Sequence, residues 1–211
     1  MRTRVKICGI TRVEDARSAT EHGADAIGLV FFEGSPRHVS LKQAGRIAAS
    51  IAPFVTVVGL FVDASPSVIR RVLEDLPLGM LQFHGHEAND DCNRYGLPFI
   101  KSVAMKPDTD LHEQIRTYPD AGGILLDAWQ PHTHGGGGQA FDWTRVPHDL
   151  AVPVILAGGL TAANIATAIR QVRPYAVDVS SGVESSRGIK SAGMISAFMK
   201  GVRDSDADTG D

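Results

Sequence analysis

Short runs of Val, Ile and Leu recur along the chain, with amphipathic stretches between them. Eight runs read as strands: residues 5–9, 26–31, 56–62, 80–85, 99–105, 123–128, 153–159 and 176–182. Several are almost continuously apolar, the pattern of parallel strands covered on both faces. Helical periodicity marks 12–22, with Thr11 and Glu14 as a capping box and Gly23 at the stop. Ser40 with Gln43 opens a helix to about residue 51, and Ser65 caps another that has Pro66 at its first position. The stretches 163–172 and 193–202 supply two more, and 88–95 and 110–118 read as shorter ones. The connection 129–152 shows little helix and carries "HGGGGQAFDW" instead.

Strand–helix alternation implies βαβ units and a parallel sheet. Eight such units in 211 residues, with no linker between them, predict a single-domain α/β fold, a small (β/α)8 TIM barrel of eight parallel strands over residues 1–202. The helix after the sixth strand is expected to be poorly formed. An open doubly wound sheet is the alternative, and the missing Gly-x-Gly-x-x-Gly after the first strand counts against it. Residues 203–211, "RDSDADTGD", are acidic and lack large apolar side chains, which predicts a disordered tail.

In a barrel, alternate strand residues point inward and chemistry collects at the C-terminal strand ends. On the first strand Val5 and Ile7 suit the helix side, so Lys6 and Cys8 face the interior. Gln82 and His84 share one parity on the fourth strand, and Asp178 and Ser180 share one on the eighth. Strands one and eight are neighbours in a closed barrel, so Lys6 is expected to meet Asp178 across the seam, as a buried cation requires. Cys8 reads either as a small buried hydrophobe or as a functional thiol whose thiolate share the nearby lysine raises. Asp127 ends the sixth strand after four apolar residues, where desolvation would raise its pKa and suit it to general acid work. Glycine and serine turns, Gly158–Gly159 and Ser180, Ser181 and Gly182, follow strands seven and eight, where such barrels hold phosphate. His84, His86, His132 and His134 form two His-x-His pairs without a third ligand at fixed spacing, so no metal site is assigned. The "HGGGG" run reads as a mobile loop over the site mouth.

The net charge of −3 gives no basic surplus for nucleic acid, and no apolar run is long enough to span a bilayer. Two cysteines, Cys8 and Cys92, form no disulfide framework, so a reducing, cytoplasmic setting is expected, with Cys92 structural.

The ordered motifs "KICGIT", "SPRHVS" (35–40), "VGLFV" (58–62), "LQFHGHE" (81–87), "LLDA" (125–128), "GGGGQAFDW" (135–143), "LAGGL" (156–160) and "VDVSSGVE" (177–184) resemble the phosphoribosylanthranilate isomerase family. The resemblance covers nearly the whole chain apart from the acidic tail. It implies a cofactor-free and metal-free Amadori rearrangement of a small phosphorylated substrate in tryptophan biosynthesis, by a monomer or homodimer. It further implies that Asp127 is the acid, Cys8 the base, and Arg37 the partner of the anthranilate carboxylate. His84 and Asp178 join substrate binding, and Gly158, Gly159, Ser180, Ser181 and Gly182 hold the phosphate. Departures from the family pattern are Gly137 in the glycine loop, Phe83 and Ser191. Two other readings stay open on sequence alone: the related sugar isomerase of histidine biosynthesis, whose first strand offers aspartate, and a phosphate-binding barrel without catalysis.

Overall fold

The structure, a computed structural model, describes residues 2–129 and 140–208. Eight strands alternate with helices: β1 (Arg4–Ile7), β2 (Ala26–Val30), β3 (Thr56–Phe61), β4 (Met80–Phe83), β5 (Phe99–Met105), β6 (Gly123–Ala128), β7 (Val154–Leu156) and β8 (Ala176–Val179). They pair in sequence order, all parallel, and β1 closes on β8. Outside them lie α1 (Val13–Glu21), α2 (Leu41–Ala48), α3 (Pro66–Asp75), α4 (Asn89–Asn93), α5 (Leu111–Thr117), α6 (Ile165–Val172) and α7 (Ala192–Asp208). Between β6 and β7 the described residues hold only a 3₁₀ turn, Trp143–Arg145. A short antiparallel hairpin, β9 (Glu184–Ser186) and β10 (Ile189–Lys190), precedes α7.

Two shells follow from the period of two along each strand. Val5, Ile7, Ile27, Leu29, Phe61, Leu81, Phe83, Ile124 and Val177 face the helices and form the main core. The opposite parity fills the barrel. Ile100, Leu125, Ile155 and Ala176 make an apolar floor, and Cys8, Val30 and Leu60 form a separate cluster. Lys6, Gln82 and Asp178 are also buried, and Lys6 stands directly opposite Asp178 in the β1–β8 register. Phe83 lies on the helix side, edge-on to Phe99.

Two local expectations are corrected. Thr11 does not cap α1: its hydroxyl donates to the Gly188 carbonyl, and the helix starts from Arg12, which pairs with Asp15. A tertiary partner has outcompeted the local cap. The expected disordered tail over 203–211 is also overturned for residues 203–208, which continue α7. Asp206 accepts from the Thr3 backbone N–H at 2.8 Å and from its hydroxyl at 2.7 Å, and Ser205 is buried. The polar side chains of this segment satisfy donors at the start of β1 rather than meeting only solvent. Residues 209–211 lie outside the described residues. Among the described residues no helix is long and apolar enough to cross a membrane.

Candidate active site

A cavity of about 590 Å³ opens at the C-terminal end of the barrel. Cys8, Arg37, His84, Asp127, Gly158, Gly159, Asp178, Ser180, Ser181 and Gly182, the whole sequence-predicted set, line it together. Going round the mouth, Arg37 follows β2, Cys8 follows β1, the serine turn follows β8, the glycine turn follows β7, and Asp127 stands on β6. The two turns therefore lie between the thiol and the carboxyl.

Below Cys8, Lys6 Nζ donates to Asp178 Oδ1 at 2.8 Å. Burial pulls the Lys6 ammonium down, but Asp178 and Cys8 outweigh it and hold it above the ordinary lysine value. Burial pushes the Cys8 thiol up, against the pull of Lys6 and Lys190, and the net direction is upward. Lys6 does pull the thiol toward thiolate, as the sequence suggests, but it does not set the net direction. Desolvation of the sulfur exceeds what the nearby charges restore.

Asp127 is held at both oxygens. The Ala128 N–H donates to Oδ1 at 2.8 Å, and His84 Nε2 stands 3.5 Å from Oδ2. Gln82 Nε2 lies 3.3 Å from His84 Nδ1 and donates to Ser102 Oγ at 3.1 Å. The Gln82 amide engages Nδ1, which leaves Nε2 to face Asp127.

Sequence reasoning missed the support behind His84. Lys101 is buried on the helix side of β5, where its Nζ donates to the Gly85 carbonyl at 2.6 Å and to Glu87 Oε2 at 3.2 Å. Glu87 also accepts from the backbone N–H of Asp63 at 2.8 Å and of Gly85 at 3.0 Å. This pair fixes the turn that carries His84. A lysine inside a mostly apolar strand was the only cue.

The phosphate-type turns are built by close approach. Gly158 and Gly159 adopt φ of +79° and +66°. A Cβ on Gly182 would lie 1.8 Å from the Leu160 carbonyl oxygen, so only glycine lets the two turns touch. Asn164 pins the first turn, accepting from Thr161 N–H at 2.8 Å and donating to the Gly159 carbonyl at 2.9 Å.

Arg37 faces the cavity with a partner that sequence reasoning did not assign. Its Nε and Nη2 donate to Glu184 Oε1 and Oε2 at 2.7 and 2.8 Å. Cys92 is buried on α4 and its thiol is pushed up to about 12 by burial, as suits a structural residue. Among the described residues no group of three or more His, Cys, Asp or Glu side chains is placed to hold a metal ion. His132, His134, Gly137 and the "HGGGG" loop lie outside the described residues.

A family model described as N-(5'phosphoribosyl)anthranilate (PRA) isomerase matches residues 5–201. N-(5'-phosphoribosyl)anthranilate isomerase of Nitrosococcus oceani is 54% identical over 202 residues, covering 96% of this chain and 98% of the relative. The enzyme of that name from Pseudomonas putida is 55% identical over 200 residues, covering 95% and 97%. Among solved structures, phosphoribosyl anthranilate isomerase from Thermotoga maritima superposes with a TM-score of 0.88 at 39% identity, covering 96% of this chain and 99% of that one. A phosphoribosyl anthranilate isomerase in complex with reduced 1-(o-carboxyphenylamino)-1-deoxyribulose 5-phosphate superposes at 0.85 with 38% identity, over 96% and 99%. With this ordered barrel and a match along nearly its whole length, the chain belongs to the N-(5'-phosphoribosyl)anthranilate isomerase family.

Proposed function

We propose that this protein converts N-(5-phosphoribosyl)anthranilate to 1-(2-carboxyphenylamino)-1-deoxyribulose 5-phosphate in tryptophan biosynthesis, with Cys8 and Asp127 as its base and acid. The observation that carries this reading is the placement of one thiol and one carboxyl in a single cavity, on either side of two phosphate-type turns. Phosphate on Gly158, Gly159, Ser180, Ser181 and Gly182 sets the ribose between the two groups. Asp127 gives its proton to the furanose ring oxygen, the C1–O bond breaks, and the nitrogen lone pair forms the protonated Schiff base. His84, beside Oδ2, holds the Asp127 carboxyl in place for this transfer. Cys8, as thiolate, takes the proton from C2. The C–H electrons become the C1–C2 double bond and the iminium pair returns to nitrogen. The enolamine then tautomerises to the ketone.

Arg37 takes the anthranilate carboxylate through a bidentate contact, and Asp178 anchors Lys6 under the thiol. No cofactor enters these steps. Cys8 in place of a first-strand aspartate argues against the sugar isomerase of histidine biosynthesis. A solved relative is described as mutually generated monomers of a dimeric enzyme, and we take this chain to work as a monomer or homodimer in the cytoplasm. The test is turnover of freshly formed phosphoribosylanthranilate, followed by loss of anthranilate-type fluorescence. Wild-type turnover, its loss in Asp127→Asn, and a raised KM in Arg37→Ala are expected. An inactive wild type would favour a binding barrel.

A further inference from the structure

The salt bridge from Arg37 to Glu184 is side-on: Nε and Nη2 occupy both carboxylate oxygens. It uses one edge of the guanidinium fork and leaves the edge bearing Nη1 for a second anion. Glu184 is itself anchored. Lys190 Nζ donates to its Oε1 at 2.8 Å, to the Ser180 carbonyl at 3.0 Å and to Ser180 Oγ at 3.3 Å. The Lys190 side chain is 0% exposed, an expensive place for an ammonium, and the proposed chemistry makes no use of it. Arg37 and Ser180 also both pack close to Gly9, the residue after Cys8. Gly9 has φ +70°, and a Cβ there would lie 2.4 Å from Arg37 Cδ and 3.1 Å from Ser180 Oγ. A chain of contacts thus runs from the carboxylate-binding arginine through Glu184 and Lys190 to the phosphate turn.

We propose that Glu184 and Lys190 are positioning residues that fix which edge of Arg37 faces the cavity and how far it stands from the Ser180 turn, so that the site selects ligands with a carboxylate and a phosphate at one set span. The inference rests on the roles given above to Arg37 and Ser180.

Glu184→Gln separates positioning from charge. It removes a negative charge beside the site, so charge alone predicts tighter carboxylate binding. Positioning predicts the opposite: a KM raised about tenfold or more, with kcat within about threefold of wild type. Calorimetry with single-ended probes reads each end. Anthranilate should bind Glu184→Gln several-fold more weakly, and inorganic phosphate as in wild type. Lys190→Met should weaken both probes, and Lys190→Arg, which keeps donors for Glu184 and Ser180, should recover part of the loss. Unchanged or tighter anthranilate binding by Glu184→Gln would overturn the proposal. Should that variant fail to fold by circular dichroism, wild-type binding of both probes by Lys190→Met would overturn it equally. A wild type that binds both probes but turns over no substrate would sink the assigned reaction, and the positioning claim would still be decided by the calorimetry.

Discussion

Replacing Lys6 by Met tests the electrostatics under the thiol. The pair it breaks is buried at both ends, with side chains 6% and 9% exposed and Nζ 2.8 Å from Asp178 Oδ1. Met keeps the length of the stem but leaves the Asp178 carboxylate uncompensated in the barrel. Losing one partner of a buried pair costs about 3–5 kcal/mol. For a domain of this size each kcal/mol lowers Tm by about 2–4 °C, so a fall of roughly 6–20 °C is expected. The penalty should shrink at lower pH, because protonation neutralises an unpaired buried carboxyl. In Lys6→Met/Asp178→Leu both charges are gone, and most of the stability should return, giving a coupling on the order of 3 kcal/mol. Denaturant unfolding of the wild type, both single variants and the double variant, at two pH values, supplies the cycle. A Lys6→Met cost under about 1 kcal/mol, or a double variant no more stable than Lys6→Met, would show that the two charges are not coupled in this way.

Three further outcomes are expected. Burial holds the Cys8 thiol above its ordinary range; its alkylation by iodoacetamide, read by mass spectrometry, should keep speeding up with pH beyond that range, and a plateau reached near neutrality would contradict this. Asp206→Ala leaves two Thr3 donors without their acceptor and should lower unfolding free energy by about 1–3 kcal/mol, as should truncation after Val202; an unchanged denaturation midpoint would count against a structural role for this segment. Gly182→Ala drives a methyl into the Leu160 carbonyl and should raise KM and weaken inhibition by inorganic phosphate, whereas wild-type inhibition would place the phosphate elsewhere.

The barrel was legible because strand-like apolar runs alternate with helical periodicity along the chain, with a break only after the sixth strand. Parity placed Lys6 and Cys8 inside and Val5 and Ile7 outside, and ring closure then made strands one and eight neighbours, which brought Lys6 to Asp178. What stayed hidden depends on tertiary distance. Glu184 and Lys190 sit on a hairpin whose sequence, "VESSRGIK", has little apolar periodicity, and only the folded β8–α7 connection brings them to Arg37. Lys101 reads as an interruption of an apolar strand until Glu87 is seen beside it. The direction of the Cys8 shift depends on how burial compares with the pull of two lysines, a balance that composition does not contain. The end of α7 misled for a related reason: acidic residues suggest a solvated tail unless donors such as those of Thr3 need an acceptor.

In the proposed reaction the first-strand thiol removes the proton from C2 while the sixth-strand carboxyl serves the ring oxygen. Single-turnover fluorescence with Cys8→Ser tests it most directly, with thermal unfolding to show an intact barrel. The variant should keep a wild-type melting profile and turn over at least about 100-fold more slowly, the scale of a lost general base. A folded Cys8→Ser enzyme that turns over at near the wild-type rate would contradict it.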